Sequence, residues 1–162
     1  MEKLSSIDYA HIIQYVTQRN FNVELGKTQV LKLLFMCYGL YLAKENKRLF
    51  DDDTPKVWPL GPVFPRVFRT FDKNNAYIEP DECIKSILSQ DKTAFSILKT
   101  VVVLFHGVSA TELSEWSHRS NGPWQQTINE KGENFKWNDE INDDLVKKYF
   151  HNYIDKIQYP NE

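Results

Sequence analysis

The sequence has few cysteines and no long apolar run, and both absences narrow the class of protein. Cys37 and Cys83 are the only cysteines among 162 residues, too few for the disulfide framework of a small secreted domain. Cys37 lies in an apolar stretch, where a cysteine is usually a small buried hydrophobe. No segment approaches the length of a membrane span, and the first residues lack a signal-peptide apolar region. We therefore expect a cytoplasmic protein with reduced thiols and no membrane contact.

Excess charge of one sign and the motifs of common active sites are also missing. A formal net charge of −2 gives no electrostatic basis for holding a nucleic-acid backbone. The six glycines stand singly, so there is no phosphate-binding loop, and the four histidines lie outside metal-ligand spacing. No Gly-x-Ser-x-Gly turn presents a nucleophilic serine. The sequence predicts no enzyme, no metal and no cofactor, and it disfavours nucleic acid as a partner.

What the chain does contain is apolar residues at helical spacing. Residues 30–43 are apolar around most of the circumference of a helix, which places that helix at the centre of a domain. The same spacing over residues 92–106 and after Asn142 predicts two more long helices. Val57 and Trp58 are candidates for a short strand. We predict a mainly α fold, one compact helical domain over residues 1–162, with about six to seven helices and at most a small β-hairpin.

Residues 56–71 form the most unusual segment. Prolines at positions 59, 62 and 65 fix the backbone and remove three donors, so no regular ladder runs through it, yet it is too apolar for a solvated loop. Gly61–Pro62 resembles a helix start. That helix would place Val63, Val67, Phe68 and Phe71 inward, and Arg66, Arg69 and Lys73 outward. Two interpretations stay open: a corner packed into the core, or a partner surface anchored by Trp58 and Phe64 if they are exposed.

Residues 117–124 form a second unusual cluster. Ser117, His118 and Arg119 are followed closely by Pro123 and Trp124. In a structural role, the first group would satisfy helix-terminal carbonyls while Trp124 fills the core. The same residues also suit contact with a partner, or a catalytic acid beside an anion clamp. The structural role is the interpretation that the sequence favours.

Three further groups have a functional and an ordinary interpretation. The aspartates at positions 51–53 can hold a cation, but a solvated loop in which one of them caps a turn is the commoner case. Arg66, Arg69 and Lys73 can form a strip for phosphate or simply belong to the surface. Cys37 is a weak candidate nucleophile, because a thiolate among leucine and phenylalanine side chains is disfavoured.

Three sequence blocks, which follow one another along the chain, make it resemble the Panacea domain, also called the SocA-like antitoxin or phage-associated GepA-like family. They are the apolar helix of residues 31–43, the proline segment of residues 49–68, and residues 113–124. The family's signature positions within them are Leu34, Tyr38, Gly61, Pro62, Val63, Pro65 and Pro123. The resemblance covers about residues 5–150. Phe35, Leu60 and Ser117 depart mildly from the usual tyrosine, tyrosine and threonine, which bears on the choice of partner more than on the fold.

The resemblance implies an antitoxin of a bacterial or phage toxin–antitoxin pair. Such a protein neutralises a cognate toxin by direct contact, and the adjacent gene would encode that toxin. In the SocA branch the antitoxin instead delivers its toxin to a bacterial ATP-dependent protease, and the residues favour neither mode. They also identify neither the toxin nor an oligomeric state. The candidate partner-binding residues are Trp58, Phe64, Arg66, Arg69, His118, Arg119 and Trp124.

Two other functions stand as alternatives. A small hydrolase would use His118 with a carboxylate from residues 51–53 or 112–115, and these groups would have to meet within hydrogen-bond reach. A nucleic-acid-binding regulator would bind duplex DNA with a steep dependence on salt.

Overall fold

The computed structural model describes residues 2–71 and 78–158, with side chains described up to residue 153. The mainly α fold is confirmed: these residues contain eight α-helices, one more than the upper expectation, and a two-stranded antiparallel sheet. A short 3₁₀ turn, Gly132–Asn134, follows α7. In chain order the elements are α1 Ser6–Phe21, α2 Lys27–Glu45, β1 Lys56–Trp58, β2 Gly61–Val63, α3 Pro65–Thr70, α4 Glu82–Gln90, α5 Lys92–Phe105, α6 Ala110–Ser117, α7 Pro123–Lys131 and α8 Asp143–Gln158.

Helix α2 lies at the centre of the molecule, as its all-round apolar sequence predicts. Every residue from Val30 to Ala43 is buried, and α1, α5 and α8 pack around the helix. The approach of α8 is close because Gly39 has no side chain: a Cβ there would lie 2.1 Å from the ring of Phe150. Burial of this helix against three others places it at the centre of the hydrophobic core.

Side-chain caps set where the surrounding helices begin. Ser5 and Asp8 form a reciprocal capping box at the start of α1. Asp81, Asp91 and Ser109 accept hydrogen bonds from backbone N–H groups in the first turns of α4, α5 and α6. The cap at Asp81 begins α4, a helix of nine residues.

The proline-rich segment is a hairpin followed by a short helix, so the prediction of a helix starting at Gly61–Pro62 is wrong. Gly61 has a φ of 111°, a left-handed conformation that a helix start does not use, and it opens β2 instead. Helix α3 begins at Pro65, where Asp53 accepts a hydrogen bond of 2.8 Å from the backbone N–H of Arg66. The predicted strand at Val57 and Trp58 is confirmed.

Candidate functional site

The β1–β2 hairpin is the centre of the candidate site, and backbone bonds fix one of its edges. Val57 pairs with Pro62 and Trp58 with Gly61, leaving Pro59 and Leu60 in the turn. The segment after α7 covers β1: Val57 donates to the carbonyl of Asp139 and accepts from Asn138, each at 2.8 Å. β1 therefore has a partner on each side and β2 is the outer strand, a position that tolerates Pro62, which has no N–H.

Three helices hold the turn by side-chain hydrogen bonds to its carbonyl oxygens. The indole Nε1 of Trp124 on α7 donates to the carbonyl of Trp58 at 2.9 Å, and His118, at the end of α6, places Nε2 3.0 Å from the carbonyl of Pro59. The amine of Lys32 on α2 donates to the carbonyl of Pro62 at 3.0 Å. Backbone groups that cannot pair within a ladder are therefore satisfied by three separate elements, which makes the turn rigid.

Lys32 is unusual because its amine is enclosed by the protein. The side chain is 1% exposed, and burial lowers its pKa from 10.5 to about 7. It forms no ion pair with any side chain in the described part of the chain. Gly61 lies directly against it, since a Cβ at Gly61 would be 2.7 Å from the amine and 2.5 Å from the hydroxyl of Ser117. Only glycine fits between these two groups.

Aromatic and aliphatic side chains reach solvent around this rigid turn, and we call Trp58, Leu60, Phe68 and Trp137 the aromatic surface. Half-buried Trp58 stacks edge-on against Phe68, with ring centroids 5.0 Å apart, and donates through Nε1 to Asn138 at 2.9 Å. Trp137, next to Asn138, packs 6.4 Å from Trp124 beneath it. Leu60, Phe68 and Trp137 are 67%, 40% and 54% exposed. Large apolar groups this exposed commonly mark an interaction site.

Basic residues of α3 stand beside the aromatic surface. Arg66 and Arg69 point to solvent, as predicted, and Arg66 lies 3.7 Å from the carboxylate of Asp52. The amine of Lys27 lies 4.7 Å from the centroid of the Phe68 ring, a cation–π contact. Lys73, the third member of the predicted basic strip, lies outside the described residues. The aromatic surface is thus bordered by positive charge on its α3 side.

Two predicted anchors are corrected by their burial. Phe64 is fully buried and packs against Tyr38 and Phe50, with ring centroids 5.4 and 5.2 Å away, so it belongs to the core. Trp124 is 7% exposed and supports the hairpin from below, which is the structural role that the sequence favours, so neither residue is an exposed anchor. For Phe68, by contrast, the sequence predicts an inward-facing side chain. This prediction is wrong, because the side chain reaches the surface. Trp137, which the sequence does not single out as a candidate, is 54% exposed and belongs to this surface.

The signature positions of the family resemblance are buried and hold the site in place. The hydroxyl of Tyr38 donates a hydrogen bond of 2.9 Å to the carboxylate of Asp143. The same carboxylate also accepts a hydrogen bond from Arg48. Burial raises the pKa of that phenol, and the neighbouring Asp143 carboxylate raises it further. The remaining signature residues are fully enclosed and shape the hairpin and the helices under it: Leu34, Gly61, Pro62, Val63, Pro65 and Pro123.

The residues considered for catalysis do not converge within the described part of the chain. His118 uses Nε2 on the Pro59 carbonyl and Nδ1 on the Ser114 carbonyl, and its ring stands edge-on to Trp124 at 4.2 Å. Arg119 points away into a separate cleft. Burial raises the pKa of the Cys37 thiol, which opposes formation of a nucleophilic thiolate.

The aspartates at positions 51–53 are also directed at separate partners. Asp51 pairs with Lys3 at 3.1 Å, Asp52 accepts from the backbone and hydroxyl of Ser6, and Asp53 caps α3. Over residues 2–71 and 78–158 no group of three histidine, cysteine, aspartate or glutamate side chains is arranged to hold a metal. No helix in those ranges is long and apolar enough to cross a membrane alone; α5 and α6, bent by 117°, satisfy length and composition only when taken together.

These features define a mainly helical domain that presents a rigid, aromatic hairpin. Comparison with known proteins places it more closely: residues 30–125 match the family described as antitoxin SocA-like, Panacea domain, and the chain belongs to that family. It is also similar to Antitoxin SocA of Caulobacter vibrioides, with 28% identity over 139 residues, covering 80% of this chain and 73% of the relative. No solved structure is significantly similar. The matched region contains the hairpin and all three side chains that hold its turn.

Proposed function

We propose that this chain is an antitoxin that neutralises a toxin protein by binding it directly through the aromatic surface. The observation that carries this proposal is the combination of exposure and rigidity at one place: Leu60, Phe68 and Trp137 are exposed around a turn whose carbonyls are held by α2, α6 and α7. Exposed aromatic side chains on a fixed scaffold bind tightly because little conformational entropy is lost on association.

The charges beside the aromatic surface suit a protein partner. Arg69 is exposed and forms no ion pair within the described residues, while Arg66 is only loosely paired with Asp52. Arginine is enriched in protein interfaces because its planar fork pairs with carboxylates and stacks on aromatic rings. A partner with an apolar depression rimmed by carboxylates would complement this arrangement. The net charge of −2 makes a nucleic-acid backbone the poorer match.

We also propose that the protein acts by binding and not by catalysis. His118, the best candidate for an acid–base residue, has both ring nitrogens against backbone carbonyls, so its imidazole serves to hold the hairpin. A hydrolase would need that ring to be free to exchange a proton with substrate. The proposed setting is the cytoplasm, and the proposed partner is the product of the adjacent gene.

Coexpression tests the proposal. The adjacent gene is induced alone and together with this chain, growth is followed, and the complex is isolated through a tag on this chain. We expect the neighbour to arrest growth alone, to be harmless in the pair, and to co-purify at a fixed stoichiometry. A neighbour that is harmless alone and does not co-purify would contradict the pairing.

The lifetime of the toxin separates blocking from delivery to a protease. With translation stopped, the neighbour's product is followed by immunoblotting with and without this chain. We expect the neighbour's product to persist in the complex, because a contact that only masks the toxin does not degrade it. Rapid loss that depends on this chain and on an ATP-dependent protease would replace blocking with delivery, while the direct contact would stand.

A further inference from the structure

A cleft between the end of α6, the start of α7 and the middle of α8 is used by nothing described so far. It has a volume of about 400 Å³ and shares no residue with the aromatic surface. Arg119 and Lys148 line it together with the tyrosines Tyr149 and Tyr153 and the amide of Asn152. A cleft of this size encloses two or three side chains of a ligand, within the range of specific binding sites.

The charge of the cleft is one-sided. Arg119 and Lys148 are its charged lining residues, and the lining contains no carboxylate. Each has an acidic residue one helical turn earlier, Glu115 and Asp144, yet neither cation forms an ion pair with any side chain in the described ranges. Both side chains are exposed. Two cations therefore remain available to an anion from outside the chain.

The wall beside these cations is aromatic. Tyr149 and Tyr153 stack with centroids 5.5 Å apart and planes inclined by 29°, and Trp116 packs behind them at 6.2 and 6.3 Å. Burial raises the pKa of the Tyr149 phenol, and Arg119 lines the same cleft as this tyrosine. An apolar side chain can therefore lie on the rings while an anion meets the cations.

We propose that this cleft binds an acidic peptide segment, whose carboxylate pairs with Arg119 and Lys148 while a neighbouring apolar side chain packs on Tyr149 and Tyr153. The amide of Asn152 is placed to meet the peptide backbone. Arginine pairs with carboxylates through two parallel hydrogen bonds, and the aromatic wall adds a contact that a bare anion lacks. The cleft stands apart from the aromatic surface, so the proposal does not depend on the proposed contact with a toxin.

A titration with two synthetic peptides tests this site. The whole chain, labelled with ¹⁵N, is titrated with acetyl-Glu-Phe-Glu-Leu-amide and, separately, with acetyl-Gln-Phe-Gln-Leu-amide. We expect saturable shifts of the Arg119 side-chain N–H and of the backbone N–H groups around Lys148 with the acidic peptide. We expect the neutral peptide to bind at least about tenfold more weakly, because each charge-assisted hydrogen bond contributes about that factor.

Paired variants show whether the two cations are responsible. Arg119→Gln with Lys148→Gln should weaken binding of the acidic peptide by about tenfold or more. Lys44→Gln with Lys99→Gln removes the same charge from exposed positions elsewhere and should change it by less than about twofold. Equal binding of both peptides, no saturation below about 20 mM, or equal losses in both variants would overturn the proposal. The proposal would also be overturned if inorganic phosphate or acetate competed with the peptide at an equal affinity. The cleft would then be a site for any anion.

Discussion

Lys32 shows how one buried charge can hold a hairpin in position at a cost to stability. Its amine is buried between α2 and the hairpin and donates to the carbonyl of Pro62. A charged amine without an ionic partner loses its hydration, which explains why its pKa falls to about 7. In return, Lys32 provides a hydrogen-bond donor to the Pro62 carbonyl, which has no partner within the two-stranded sheet.

The first prediction follows from that lowered pKa. The unfolded chain holds the Lys32 proton up to about pH 10.5, whereas the folded chain releases it near pH 7. The destabilisation is therefore complete below pH 7 and is relieved as the pH rises toward 10.5. We expect the free energy of unfolding to increase by about 1.5 kcal/mol between about pH 7 and pH 8.5. Urea denaturation at a series of pH values measures it.

Two variants isolate the contribution of Lys32 to that trend. Lys32→Met keeps the length of the side chain but has no proton to release, so the increase should disappear. Lys44→Met, an exposed position on the same helix, should retain it. The comparison stops at about pH 8.5 because the raised pKa of Cys37 lowers stability at higher pH. A trend that survives unchanged in Lys32→Met would assign the pH dependence to other groups.

At the scale of the elements, the contact between α2 and α8 leaves no room for added side-chain volume at Gly39. Gly39 allows the ring of Phe150, which is itself fully buried, to lie against the backbone of α2. Alanine would favour the helix by about 1 kcal/mol in isolation. In this position its methyl group would lie 2.1 Å from the ring carbons, so either α8 or the ring must move. The steric term therefore outweighs the helix propensity.

Gly39→Ala tests this contact. We expect a net loss of about 2 kcal/mol in the free energy of unfolding, in the range found for overpacked cores. The matched control is Gly107→Ala, where an added Cβ meets nothing within 4 Å, and its effect should stay within about 0.5 kcal/mol. Chemical denaturation of both variants gives the comparison. Equal stabilities of the two would mean that α8 adjusts without cost.

The hairpin marks the limit of what local sequence predicts at the level of elements. The pattern at Val57 and Trp58 predicts a strand because β-branched and aromatic residues favour it. Gly61–Pro62 predicts a helix start because proline suits the first helical turn. Proline at position 65 satisfies the same preference, and the choice between them depends on Asp53, which caps α3 from twelve residues upstream of Pro65. A contact of that kind is not encoded in the local pattern.

At the scale of the whole molecule, the sequence predicts the fold class, the central helix and the segment that contains the candidate site. These depend on periodicity and on proline geometry, both of which are local. It could not assign which aromatic side chains are exposed, because the proline segment has no period from which to read a buried face. Phe64 and Phe68 have similar chemistry and opposite burial for this reason. One signal in the sequence points to the burial of Lys32: it is a lysine within an otherwise apolar helix.

The exposure of Leu60, Phe68 and Trp137 leads to the last prediction, which concerns affinity for the proposed toxin partner. Phe68→Ala should weaken binding of the adjacent gene's product by about 2 kcal/mol, roughly thirtyfold, because buried aromatic anchors dominate interface energies. The residue is already 40% exposed, so its truncation leaves the fold intact. Phe95→Ala on α5, 50% exposed and outside the aromatic surface, is the matched control and should bind normally. Calorimetry on purified complexes measures both, and a loss confined to Phe95→Ala would move the interface from the hairpin to α5.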